Sequence, residues 1–123
     1  MGLEIIHLGS GSRGNSTLVT SGDSSILIDC GFSLKQIELR LKRIDVKPDS
    51  IDAIIVTHHH GDHSKSALRA SQKWESKLYS NTETAIKMGW NPISECRTFG
   101  NLERLEISEE ISVLPIPIPH DDA

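Results

Sequence analysis

Thr57-His58-His59-His60-Gly61-Asp62-His63 is the stretch that decides how the rest of this sequence is read. Directly before it runs Ile51-Asp52-Ala53-Ile54-Ile55-Val56-Thr57, short and nearly continuous in apolar residues. That pattern suits a strand buried on both faces and flanked by helices. A polar cluster at the end of such a strand is aimed by a rigid element. His58 and His60 stand at alternate positions, so they can point the same way and grip one cation. Asp62 and His63 then put a carboxylate beside an imidazole, a pair suited to a second. Both are donors that zinc, manganese or iron accept while a coordination position stays open. His59 alternates away from its neighbours and is read as a non-ligand. A purification-type histidine run would lie at a terminus and would rarely interleave an aspartate.

Working outward, three short runs precede this segment: Leu3 to Leu8, Thr17 to Thr20 and Ser25 to Asp29. The turn-rich Gly9-Ser10-Gly11-Ser12-Arg13-Gly14-Asn15-Ser16 and Ser21-Gly22-Asp23 separate them, which predicts an antiparallel meander. Ser33, three residues before Gln36, has capping-box spacing. Leu34, Ile37, Leu41 and Ile44 follow as one apolar stripe of a helix. Lys35, Arg40, Lys42 and Arg43 occupy its other positions, read as a solvated face in preference to a phosphate-binding patch. Beyond the histidines, Ser64 is expected to cap a helix reaching about Lys77, with Ala67, Leu68, Ala70 and Trp74 inward. Leu78-Tyr79 suits a short strand, and Thr82 to Met88 a helix ended by Gly89. Strands near Arg104 to Ile107 and Ile111 to Ile118 are expected to follow. Pro115, Pro117 and Pro119 leave one edge of the last without donors.

The bulk numbers bound the answer. A length of 123 residues suits one domain. Apolar and charged fractions of 37% and 24% describe a globular chain, not a disordered one. Only five aromatics occur, so the core must rest on Ile, Leu and Val. No run of about 18 apolar residues is present to span a membrane. The start lacks the basic and apolar regions of a secretory signal, and Ile6 stands where a myristoylation motif wants Ser or Thr. A cytoplasmic location without a membrane partner is therefore expected. Cys30 and Cys96 are read as free thiols. A net charge of −4 argues against a nucleic-acid binder held by phosphate contacts alone. It leaves room for an enzyme whose cations act locally.

The motif His58-x-His60-x-Asp62-His63 resembles the H-x-H-x-D-H signature of the metallo-β-lactamase superfamily. Ile26-Leu27-Ile28-Asp29-Cys30-Gly31 is similar to the strand-to-loop segment carrying that family's first acidic motif. The Gly9 to Ser16 loop, the helix of Phe32 to Ile44 and the terminal His120-Asp121 resemble the YycJ/WalJ-like branch. Small phosphodiesterases of the PhnP-like and phage anti-Pycsar types are also similar. The resemblance spans essentially the whole chain.

What it implies can be set out residue by residue. The fold would be α/β: half of an αββα sandwich, with a mixed, mostly antiparallel sheet and flanking helices. Residues 1–123 would form the N-terminal part of the domain, with the C-terminal half missing. His58, His60 and His120 would hold one divalent ion, and Asp62 and His63 the second, zinc first and manganese or iron as alternatives. Asp62 and His63 would also belong to the catalytic centre. Asp29 would either orient the histidine loop by hydrogen bonds or simply cap a turn. The Ser10 to Ser16 loop, with Arg13, would be either a phosphate cradle or a plain glycine turn. His7 has no such support and is read as a strand residue.

The family also carries a bridging Asp and a final His beyond the third histidine motif, and this sequence stops at Ala123. A fragment or a truncated gene product is therefore expected. The His120-Asp121-Asp122-Ala123 ending also departs from the branch's His-Asp-Ala. The implied activity is metal-dependent phosphodiester hydrolysis, on DNA or on nucleotides. The alternative is a truncated, catalytically inactive metal-binding remnant or interaction module. A half-sandwich buries little apolar area, so marginal stability or a homodimer is expected.

Overall fold

The structure is a computed structural model in which residues 2–9, 14–58, 64 and 66–116 are described. Six strands form one sheet in the order β1 to β6. They are β1 (Leu3–Gly9), β2 (Ser16–Ser21), β3 (Ser24–Ile28), β4 (Ala53–Val56), β5 (Lys77–Asn81) and β6 (Arg97–Phe99). The first three are the expected antiparallel meander, with Val19 paired to Ile5 on one side and Ile26 on the other. From β3 onward every pairing is parallel. The sheet is mixed as anticipated, but three of its five pairings are parallel, which corrects the mostly antiparallel expectation. The cause is topological. Each of the last three strands is reached through a helix, and a helical crossover returns the chain in the same direction.

Those crossovers are α1 (Leu34–Arg43), α2 (Ala67–Trp74) and α3 (Thr82–Met88). Ser33 caps α1 as its spacing requires, its Oγ accepting from the Gln36 N–H at 3.2 Å. Ile37 and Leu41 are fully buried and Leu34 packs partly against the core, whereas Ile44, the C-cap, is 36% exposed. Arg40 leaves the solvated face assigned to it. It lies 4.0 Å over the Phe32 ring and donates from Nη1 to the Leu8 carbonyl at 2.7 Å. Ser66, not Ser64, is the N-cap of α2, and it makes no side-chain capping bond. That helix stops at Trp74 because Glu75 turns left-handed (φ 58°), and Lys77 already opens β5. Asn81 caps α3 through Oδ1, and Gly89 ends it at φ 72°.

All three helices cover one face of the sheet. Ile37, Leu41, Ala67, Ala70, Trp74 and Ala85 meet Leu18, Leu27, Ile54 and Leu78 there. The other face carries Ile26, Ala53, Ile55 and Tyr79. A two-stranded ribbon of β7 (Leu105–Glu106) and β8 (Ser112–Val113) packs on it through Leu105, Ile107, Ile111 and Val113. The ribbon's turn is tied to the β2–β3 turn, where Glu110 accepts from the Asp23 N–H at 2.9 Å. These strands are shorter than expected, and residues 117 and 118 of the anticipated final strand lie outside the described residues. β6 was not foreseen, since three residues are too few to show an alternation. Covered on both sides, Ala53, Ile54, Ile55 and Val56 are each at most 3% exposed. That is the two-faced strand their apolar run foretold.

Gly9 and Gly14 have a packing reason. A Cβ at Gly9 would collide with the Phe32 ring, and one at Gly14 would lie 2.6 Å from it. Both thiols are free and buried. Burial pushes the Cys30 thiol up to about 11; the Asp29 charge adds to this and the Ser66 contact partly offsets it.

Two measurements follow from this core. Ile54→Ala should lower stability in urea by about 2–4 kcal/mol through the cavity it leaves. Ile86→Ala, at a site 72% exposed, should shift it by no more than about 0.5 kcal/mol. Cys30 keeps its proton in the fold up to about pH 11, while an unfolded thiol loses it near 9.0. The unfolded state alone is stabilised by ionising between those values, so stability should fall from about pH 9 upward, and Cys30→Ala should flatten that decline.

Candidate metal centre

Parallel strands deliver their carboxyl ends to one edge of the sheet, where ligands of open α/β sheets bind. Here that edge brings together Asp29 after β3, Thr57 and His58 after β4, Asn81 at the end of β5 and Phe99 at the end of β6.

Asp29 is the buried centre of this edge, 7% exposed and left-handed at φ 66°. Its N–H extends the β3–β4 ladder to the Ile55 carbonyl at 2.7 Å, and its own carbonyl accepts from Ser16 Oγ at 2.8 Å. So fixed, the carboxylate accepts from the Thr57 N–H at 2.7 Å and from Thr57 Oγ1 at 2.9 and 2.8 Å. The segment after it is held as firmly. Gly31 N–H donates to the Asn15 carbonyl, Ser66 N–H to the Cys30 carbonyl, and Ser66 Oγ to the Phe32 carbonyl at 2.6 Å.

Thr57 passes this rigidity to His58, whose Nδ1 lies 2.8 Å from Thr57 Oγ1. A hydroxyl has one proton. With that proton given to Asp29, Oγ1 can only accept from His58, so Nδ1 carries a hydrogen and, in the neutral ring, Nε2 is the nitrogen with the lone pair. This is how a neutral imidazole is prepared to ligate a cation: the partner of one ring nitrogen sets the tautomer of the other. Of the two readings of Asp29, the hydrogen bonds favour the one in which it orients the histidine loop. Thr57 itself was not singled out from the sequence. A hydroxyl between a buried strand and a ligand-type histidine was the available signal.

His58 also lines a cleft of about 380 Å³ together with Ile28, Ile55, Thr57, Asn81, Phe99, Asn101 and the Val113–Ile116 stretch. His60, Asp62, His63 and His120 lie outside the described residues, as do Ser10 to Arg13. Among the described residues no three His, Cys, Asp or Glu side chains gather at one point. His7 sits in β1 and pairs with Thr17 Oγ1 at 3.1 Å, as a strand residue. No helix among the described residues is long and apolar enough to cross a membrane.

Against known proteins, residues 9–122 match the family model of the metallo-beta-lactamase superfamily, and the chain belongs to that superfamily. It is 32% identical over 103 residues to exodeoxyribonuclease WalJ of Streptococcus pneumoniae, covering 84% of this chain and 36% of that one. To exodeoxyribonuclease YycJ of Bacillus anthracis it is 29% identical, covering 84% of this chain and 44% of that one. To the anti-Pycsar protein Apyc1 of a Paenibacillus strain it is 26% identical, over 98% of this chain and 59% of that one. The chain thus spans less than half of the two exodeoxyribonucleases. Among solved structures, the Rm3 metallo-beta-lactamase superposes with a TM-score of 0.70 at 16% identity, over 85% of this chain and 45% of that one. LRA-12, a class B3 di-zinc metallo-beta-lactamase from an Alaskan soil metagenome, gives 0.65 at 19%, over 79% and 45%. These superpositions bear on the fold alone. Divalent metal ions are what the superfamily implies, and the hydrogen bond from His58 Nδ1 to Thr57 fits a cation ligand.

Thr57→Val should therefore weaken zinc binding about 10–100-fold in competition with a chromogenic chelator, the range for a group that orients a ligand. Thr57→Ser should stay close to the parent. Equal affinity for the valine variant would remove Thr57 from the metal centre.

Proposed function

We propose that this chain is the N-terminal, metal-binding part of a metal-dependent phosphodiesterase or nuclease acting on DNA or nucleotides. The observation that supports this most is the Asp29–Thr57–His58 relay, set at the carboxyl edge of the parallel strands and beside an open cleft. Two relatives named as exodeoxyribonucleases favour a nucleic-acid substrate. In this reading His58, His60 and His120 hold one ion and Asp62 and His63 the other, with zinc as the metal of choice. The ions, when bound, would supply a nucleophile at neutral pH and offset charge on the phosphate. The chain's own share is to fix the tautomer and direction of its ligands and to shape the cleft.

Two ligands for the second ion, Asp62 and His63, are too few to hold it tightly. A bridging carboxylate and a further histidine from additional polypeptide would complete the pair. The 36% share of the WalJ relative spanned by this chain agrees with such a partition. It also keeps open an inactive, metal-binding remnant as a second reading.

The two readings part on activity. A protein extended through a second half should hydrolyse bis-p-nitrophenyl phosphate and lose that activity to EDTA. The 123-residue chain alone should turn over little. Asp62→Ala in the extended protein should cost more than the about 10–100-fold typical of residues that only orient a ligand, with the thermal midpoint nearly unchanged. An extended protein that binds zinc without turnover favours the remnant. Robust metal-dependent turnover by the 123-residue chain would overturn the partition of ligands.

A further inference from the structure

We propose that the cleft beside His58 is a nucleobase subsite, in which one base packs against Phe99 and is read by the carboxamides of Asn81 and Asn101. The inference rests on the phosphodiesterase reading and specifies which part of the substrate the cleft takes. Its volume, about 380 Å³, lies near the lower end of the range for small-molecule sites, roughly 300–1,000 Å³. That is room for one base with its sugar and not for a run of nucleotides. The apolar surfaces of Ile28 and Ile55 and the ring of Phe99 suit a flat heterocycle, because every base has a face that packs on an aromatic ring.

The polar groups point the same way. A carboxamide carries both donors and an acceptor, which is what base edges require. The orientation of Asn81 is set by the fold: its Oδ1 accepts from the Thr84 N–H at 2.7 Å, so its Nδ2 is the end left to donate to a ring nitrogen or carbonyl. Asn101 contributes its carboxamide from an exposed turn beyond β6. Among the described residues, no Lys or Arg lines the cleft. The described lining thus offers a base its apolar and carboxamide contacts at one part of the cleft and, in the phosphodiesterase reading, the metal ligand His58 at another. A mononucleotide unit has both handles, joined by its sugar.

The test separates base from phosphate. The 123-residue chain with zinc present is titrated with deoxyadenosine 5′-monophosphate and, separately, with 2-deoxyribose 5-phosphate, following amide resonances by NMR. The nucleotide should shift Phe99, Asn101 and the Asn81 side-chain amide saturably, at least about tenfold more tightly than the sugar phosphate. Asn101→Ala, at an exposed turn, and Phe99→Leu, which keeps apolar volume without the ring, should each bring the nucleotide close to the sugar phosphate. Equal affinity for the two probes, shifts confined to other residues, or variants that bind the nucleotide like the parent would overturn the proposal. A cleft covered instead by further polypeptide would give the second of these outcomes in an extended protein. Binding is read here without turnover, so the subsite can fail while the extended protein remains a hydrolase, and the reverse.

Discussion

The bond from Thr57 to the Asp29 carboxylate is the contact on which the candidate site depends. It joins the ends of two adjacent parallel strands, fixes the first residues of the histidine segment and sets the tautomer of His58. A carboxylate 7% exposed would be costly to bury without such donors. The left-handed backbone at Asp29 is likewise tolerated only because Ser16, Ile55 and Thr57 hold that residue in place. Local strain and burial cost are thus concentrated where the chemistry needs a fixed direction.

The sheet behind this contact supplies the stiffness. With Ala53 to Val56 buried on both faces, β4 cannot shift register without drawing the exposed polar residues at its ends, Asp52 or Thr57, into the apolar layers. The ribbon of β7 and β8 matters here, because it covers the face that the helices leave bare. It explains why Ile55 is 3% exposed in a chain expected to be half of a sandwich. The cover is partial. Leu3 and Ile5, on the edge strand β1, remain 61% and 58% exposed.

Much of this was legible in the residues. Ala53 to Val56 announced a doubly buried strand by being apolar throughout, and Ser33 and Gly89 marked helix ends through chemistry that is local. Of the histidine segment, His58 stands at the carboxyl end of β4, where its place after the apolar run put it. What stayed hidden depends on contacts between distant residues. Parallel pairing follows from where α1, α2 and α3 lead the chain, which no window of sequence contains. β6 is too short to carry a pattern. Arg40 looked like one more solvated cation because its partners, Phe32 and the Leu8 carbonyl, come from other elements. Gly14, in the Ser10 to Ser16 loop read as either a phosphate cradle or a plain glycine turn, and Gly9 just before it both have a packing reason in the Phe32 ring that no local window shows. Thr57 was visible but mute until Asp29 was found beneath it.

The Asp29–Thr57 bond spans 28 positions of chain with all of α1 between its ends. Such a contact cannot persist in the unfolded ensemble, since closing a loop of that length costs entropy that a hydrogen bond or two does not return. It forms when β3 and β4 come into register, and parallel pairings of this separation are slow steps in folding. The ligand geometry is thus a late event on the folding path. In a nascent chain His58 would stay unaimed until the sheet had closed.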